Sequence, residues 1–389
     1  MTAAPTAPDG APGPDGSPAR DGATAPEAGG AAPADAARAC RDTRDLLWSA
    51  LAGRDEQAAA RAVFDALDGG VTTEQVLLDV IAPVQARVGE EWAAGRIGVA
   101  QEHAVTAIHE RVIAAFALRA APPGTPCAGR VAVACVDGEW HALPARILAE
   151  VLRARGFTVD FLGAQVPTPH LIAHLHQTGP DIVALSSSLP TRLPAAHAAI
   201  SAVQAIGLPV IAGGAAFGTD GRYARLLGAD GWAADARDAV EVIGQTLGGG
   251  DRTAFHQPID DLPHLADQEY TLISRGRPDL VRTTLTGLAE RLPAVRAYTD
   301  RQRERTSEDL AHIVDFLAVS LYTDDRALFG GFLGWTGDIL EARGVPADVL
   351  LPGLELLSDE LKDFPRALRH LAHGRATVAA RPKAASGQV

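Results

Sequence analysis

The amino-acid sequence predicts a protein of class α/β plus all-α: an N-terminal helical bundle, a central doubly wound parallel sheet and a C-terminal helical domain. Three observations predict it. Apolar residues recur at three- and four-residue steps up to about residue 120, the spacing of amphipathic helices. Short apolar runs then alternate with helical stretches to about residue 248, which is how a parallel sheet flanked by helices is encoded. Helical spacing returns beyond about residue 265, and Pro- and Gly-rich stretches fall at both changes of period. With 389 residues, 47% of them hydrophobic, the chain can bury a core in each of three domains.

Residues 1–38 consist almost wholly of Ala, Pro, Gly, Asp and Thr and are expected to be a disordered tail, because they have little apolar surface to bury. Over residues 39–124, Leu46, Leu47 and Leu51, then Ala62, Val63 and Leu67, then Val76, Leu77, Val80 and Ile81 fall at helical steps. Gly69-Gly70 and Gly95 punctuate them, so about four helices are expected, closed by the linker Ala121-Pro122-Pro123-Gly124. Residues 125–248 read as a Rossmann-like domain. Val131–Val136, Thr158–Leu162, Ile182–Leu185, Val210–Ala212 and Gly231–Ala233 are its strands, with helices near Pro144–Arg155 and from Thr168. A linker at 249–264 leads to a helical domain at 265–378, where Leu310, Ile313, Val314, Leu317 and Leu321 form one stripe and Gly344-Val345-Pro346 separates two helices. Residues 379–389 are expected to fray.

The formal net charge of −13 and a pI near 5.4 repel a phosphate backbone, and no basic patch offsets them, so no nucleic-acid partner is expected. No run approaches the roughly 18 apolar residues of a spanning helix, and no leader pattern opens the chain, which together predict no membrane partner and a cytoplasmic location. Cys40, Cys127 and Cys135 lack metal-type spacing and suit a reducing compartment.

Open parallel sheets present ligands at the carboxyl ends of their strands. The loop after the first strand reads Asp137-Gly138-Glu139-Trp140-His141-Ala142-Leu143-Pro144, with a carboxylate two residues before a histidine. Such a carboxylate fixes the tautomer of a metal-ligating imidazole. A lone loop histidine more often simply faces water. Ser187 and Leu189 follow the third strand, however, and Gly213-Gly214 the fourth, at the same edge. Together these residues resemble the cobalamin-binding domain, with its Asp-x-His-x-x-Gly, Ser-x-Leu and Gly-Gly motifs. The resemblance implies that His141 ligates cobalt and that Ser187, Leu189, Gly213 and Gly214 line the channel for the nucleotide tail. Glu139 stands where the family has Asp, and Pro144 where it has Gly.

In the helical region Trp92 is followed, after nine residues, by Glu102-His103. This spacing is similar to the cap of cobalamin-dependent photoreceptors, in which the Trp shields a cobalt-bound adenosyl group beside the Glu and His. Val99, Glu102 and His103 then share or adjoin one helix face at three- and four-residue spacing, directed at the upper axial ligand. The best-known members carry, after the Trp, a His that takes the upper cobalt position once the adenosyl group is gone. Ala93 stands there in this chain, leaving His103 or His109 as substitutes only if the helix shifts. The DNA-binding helix-turn-helix often found ahead of such caps is not recognised in residues 1–38, so a light-released repressor of that design is not expected.

The C-terminal domain sets His312, Phe316, Tyr322 and Trp335 on helices. An aromatic stripe ordinarily faces a core. The segment also looks like the globin-like, phycobiliprotein-like domains of bacterial sensors, and a cobalamin domain followed by such a module resembles the photocobilins. That resemblance implies a bilin such as biliverdin near these four residues. It would be held without a thioether, since no cysteine follows Cys135. The function implied is a light sensor binding adenosylcobalamin, not an enzyme, with a second copy or a separate output protein as partner. The alternatives are a corrinoid methyl carrier for a methyltransferase and a cobalamin-binding protein without photochemistry.

Overall fold

The computed structural model describes residues 33–119, 128–249 and 262–381; the linker at 121–124 and most of those expected at 1–38, 249–264 and 379–389 lie outside them. The N-terminal region consists of α1 (Pro33–Ala52), α2 (Glu56–Asp68), α3 and α4 (Val99–Ala117). Helix α3 runs without interruption through Thr73–Gln75, a π-helical stretch Val76–Ile81, and Ala82–Ala93. Thr72 and Gln75 start it with a reciprocal capping box. Pro83 has no N–H for the helical ladder, and the wider π turn just before it accommodates the ring.

Helix α1 begins at Pro33, inside the segment expected to be disordered through residue 38. Proline suits a first helical turn, Asp35 meets the positive end of the helix dipole, and Ala36, Ala37, Arg38 and Ala39 are strong helix formers that carry Cys40 into the core. The lack of large side chains in 33–38 misleads because burial further along the same helix anchors it.

The central domain alternates β1 (Arg130–Cys135), α5 (Leu143–Ala154), β2 (Thr158–Gly163), α6 (Thr168–Thr178), β3 (Ile182–Ser186) and α7 (Leu193–Ala205). It continues through β4 (Val210–Gly213), α8 (Arg222–Leu226), β5 (Gly231–Ala233) and α9 (Ala236–Gly248). All strands are parallel, in the order β2-β1-β3-β4-β5. Val131, Val133 and Cys135 of β1 pack on one face with α5 and α9, and Ala132 and Ala134 on the other with α6 and α7. Because the order reverses between β1 and β3, their carboxyl-end loops diverge to opposite faces and open a crevice there.

The third domain comprises α10 (Glu269–Arg291), α11 (Pro293–Arg296), α12 (Asp300–Tyr322), α13 (Arg326–Ala342), α14 (Leu351–Glu360) and α15 (Pro365–Ala379). Order begins before the expected boundary at 265: Leu262 is buried against the sheet domain and a 3-10 turn spans Pro263–Asp267. It also continues past residue 379, where fraying was expected, because Arg381 is held by Asp338 and Glu341 at 2.5 and 2.8 Å.

The helical bundle sits on α5 and α9, whose Leu143, Ile147, Val151 and Ala236 join its core. Arg155 and Arg237 fasten that seam through Glu74 and Asp79. On the opposite side of the sheet, Val319 and Tyr322 of α12 join the core formed by α7. Helices α3 and α13 also meet, through Trp92 and Trp335.

Candidate functional site

The crevice between β1 and β3 is bridged by one carboxylate. Glu139 is wholly buried and accepts five hydrogen bonds. Its Oε1 takes the His141 backbone N–H at 2.9 Å and the His141 Nδ1–H at 2.6 Å. Its Oε2 takes the backbone N–H groups of Ser188 and Leu189 at 2.6 and 3.0 Å and the Ser187 hydroxyl at 3.0 Å. The loops after β1 and β3 are thus locked to each other through a single side chain. Burial raises the Glu139 pKa, but the bonds from His141, Leu189 and Ser188 outweigh it and hold the carboxyl at about 2. The same bond raises the His141 pKa against the opposing effect of burial, with a smaller contribution from Glu102.

Because Nδ1 donates to Glu139, Nε2 of His141 is the nitrogen left to ligate a metal. The imidazole is about half exposed, at the edge of the crevice. Gly213-Gly214 closes the third side. Gly214 has φ +97°, and a Cβ there would lie 2.3 Å from the Ser187 carbonyl oxygen, so only glycine lets the two loops approach. Gly213 differs: a Cβ would meet only the Ala233 carbonyl oxygen at 3.5 Å, and packing does not require it to be bare.

Helix α4 carries Glu102, whose charge makes a small contribution to the raised His141 pKa. Glu102 Oε2 lies 2.5 Å from His103 Nδ1, and Oε1 accepts the Thr106 hydroxyl at 2.9 Å. Val99 is exposed at the start of α4. Trp92, at the end of α3, is partly covered from an unexpected direction: Trp335 of the third domain lies 6.1 Å away between ring centroids. The Arg343 guanidinium sits 5.6 Å from the Trp92 ring and donates to the carbonyls of Trp92 and Ala93. His109, a sequence candidate for an upper ligand, is instead buried in the bundle, where burial pushes its pKa down to about 4.

The four C-terminal candidates separate. Phe316 stacks on Phe332 at 3.8 Å, and Phe332 approaches Trp335 at 6.4 Å, giving an aromatic row that ends on Trp92. Tyr322 is not in that row. It is buried in the seam with the sheet domain, 2.6 Å from His197 Nδ1 and edge-on to Tyr270, because α12 turns this position toward α7. His312 is exposed on α12. Phe332 belongs to the aromatic run of the sequence but was not among its candidates, because its stacking partner lies on another helix, and Arg343 was not singled out at all, because its partners are more than 200 residues away.

Residues 129–241 match the B12 binding domain family, and residues 43–116 match a second family of the same description. The chain is 32% identical over 192 residues to the HTH-type transcriptional repressor CarH of Myxococcus xanthus, covering 49% of this chain and 63% of that protein. It is 30% identical over 183 residues to the HTH-type transcriptional repressor CarA of the same organism, covering 44% and 57%. A corrinoid protein of Desulfitobacterium hafniense (strain Y51) is 30% identical over 124 residues, covering 31% and 56%. The chain therefore spans between 56% and 63% of the length of these relatives. Among the described residues no helix is long and apolar enough to cross a membrane. The helical bundle and the sheet domain on which it packs are thus both regions that match B12 binding domains.

Proposed function

We propose that the chain is a light sensor that binds adenosylcobalamin with His141 as the lower cobalt ligand. The observation that carries this reading is the Glu139 node: one buried carboxylate orients the His141 ring with Nε2 free and simultaneously fixes the Ser187–Leu189 loop across the switch point. A corrinoid fits the donor set. A single imidazole with a carboxylate behind it suits a metal whose other ligands come from a macrocycle; Leu189, Gly213 and Gly214 would line the adjacent crevice for the nucleotide tail, while Ser187, wholly buried, holds Glu139 in place. Bound there, adenosylcobalamin supplies a cobalt–carbon bond that light breaks. Trp92 and Val99 would shield the bound adenosyl group, and Glu102 with His103 would accept hydrogen bonds from its ribose hydroxyls. Trp335 and Arg343 hold Trp92 from the third domain, so a change in its packing reaches α13 directly. A ligand shifts the equilibrium only through such differential contacts.

The visible spectrum of the full chain loaded with adenosylcobalamin, before and after green light, tests the reading. A light-insensitive spectrum would favour a corrinoid methyl carrier or a cobalamin-binding protein without photochemistry. The third domain completes the proposal: a bilin such as biliverdin binds non-covalently in a globin-like module near Phe316 and Trp335, with His312 and Tyr322 further away. Co-expression with a biliverdin source should give a red or far-red band that acid denaturation extracts and that deletion of residues 265–389 removes. Protein colourless above the corrinoid bands would make the domain a pigment-free output module. The acidic charge supports a signal passed to a second copy or a separate output protein without direct contact to a phosphate backbone.

A further inference from the structure

A polar chain crosses the helical bundle from its core to Glu102. His109 Nδ1 lies 2.7 Å from Gln85 Oε1, Gln85 Nε2 lies 2.8 Å from Thr106 Oγ1, and Thr106 Oγ1 lies 2.9 Å from Glu102 Oε1. The chain links α3 to α4 twice, and its inner end is wholly buried. His109 Nε2 has no hydrogen-bond partner among the described residues, in a core of aliphatic side chains.

Only one arrangement of protons satisfies this chain. A carboxylate has acceptors and no donor, so the single Thr106 hydroxyl proton goes to Glu102. Thr106 must then accept from Gln85, which turns the Gln85 amide nitrogen toward Thr106 and its oxygen toward His109. An amide oxygen only accepts, so His109 carries its proton on Nδ1, leaving Nε2 as a bare lone pair. The depressed His109 pKa of about 4 agrees with a neutral ring. Every donor in the chain points toward Glu102, and hydrogen bonds aligned in this way polarise one another. The arrangement leaves a buried acceptor unpaired, which ordinarily destabilises a core.

We propose that Gln85, Thr106 and His109 are positioning residues that hold the Glu102 carboxylate turned to the upper face of the corrinoid, and that they thereby set the preference for an adenosyl over a methyl ligand. The proposal rests on the cobalamin reading above. Glu102 is tethered on both oxygens, by Thr106 inside and His103 outside. Its remaining lone pairs therefore have fixed directions, which suits two ribose hydroxyls and has no counterpart on a methyl group.

The test uses the full-length chain. Thr106→Val keeps the shape and removes the hydroxyl, whereas Thr106→Ser keeps the hydroxyl. Thr106→Val should weaken adenosylcobalamin binding about tenfold, the size of one charge-assisted hydrogen bond, while methylcobalamin binding changes by less than about twofold. Thr106→Ser should restore the adenosyl preference. Equal losses for both corrinoids, or no loss for either, would overturn the proposal. Nitrogen-15 NMR of the cofactor-free protein, with His109 assigned through His109→Gln, supplies a second measurement that needs no ligand. A proton on Nδ1 is expected, and a proton on Nε2 would overturn the relay. If the wild-type chain binds neither corrinoid, the cobalamin reading and the ligand preference fail together, and the tautomer alone then decides whether the relay exists.

Discussion

Replacing Glu139 by Gln tests the architecture of the site most directly. A glutamine keeps one acceptor oxygen and gains an NH₂ that only donates. Three donors converge on Oε2, from Ser187, Ser188 and Leu189, so the amide oxygen belongs there. The NH₂ group then confronts the backbone N–H and the Nδ1–H of His141. To relieve that conflict His141 must move its proton to Nε2, the nitrogen required for a metal. Corrinoid affinity should therefore fall by about 10- to 100-fold, as expected when the group orienting a ligand is lost. Stability should fall as well. The Glu139 carboxyl is held at about 2 against an ordinary 4.5, which corresponds to about 3 kcal/mol of folding stability. Because the folded-state value is the lower one, that contribution is fully present above pH 4.5 and is lost as pH falls from 4.5 toward 2. Urea denaturation of the cofactor-free proteins, followed by circular dichroism across this range, should show Glu139→Gln weaker by about 2–3 kcal/mol at pH 7, with the gap closing on acidification. A gap that is absent at pH 7, or that persists unchanged to pH 2, would refute the reasoning.

Three further outcomes follow from the same geometry. His141→Ala should abolish the His-on spectrum and bind corrinoid far more weakly, and a spectrum like that of the wild type would move the cobalt ligand elsewhere. Trp92→Ala should weaken adenosylcobalamin more than methylcobalamin. It should also loosen the third domain, seen as faster amide hydrogen exchange in α13, because Trp335 and Arg343 lose their partner; equal losses for the two corrinoids and unchanged exchange would assign Trp92 a general packing role. Gly214→Ala should destabilise the chain by about 1–3 kcal/mol, since its Cβ would meet a backbone oxygen at 2.3 Å with φ at +97°. Gly213→Ala, with only a 3.5 Å contact, should leave thermal stability nearly unchanged.

Much of the fold was legible because it rests on local periodicity. The apolar runs of β1 and β3 and the helical stripes of α1 and α12 each declare one element within a few turns of chain. The ends of ordered segments were harder to read. Residues 33–38, Leu262 and Arg381 look like tail or linker by composition, and each is ordered by contacts made elsewhere: the burial of Cys40, the sheet-domain core, and the carboxylates of α13. The site was legible in its residues and less so in its wiring. Glu139 was expected to accept one proton from His141; that it also takes three donors from the loop after β3 depends on the order of the strands. Tyr322 was grouped with Phe316 and Trp335 because one stretch of chain carries all three, yet the rotation of α12 sends Tyr322 into the seam with α7.

The sequence by itself determined the three-part organisation, the parallel sheet and the identity of the residues at its carboxyl edge, because backbone hydrogen bonding and burial repeat with fixed periods that residue spacing records directly. Tertiary structure alone decided that one carboxylate ties two loops together, that the third domain lies against Trp92, and that Gln85, Thr106 and His109 form a directed chain to Glu102. These contacts join residues far apart in the chain, and their directions depend on helix rotation and strand order. No local pattern of side chains carries that information.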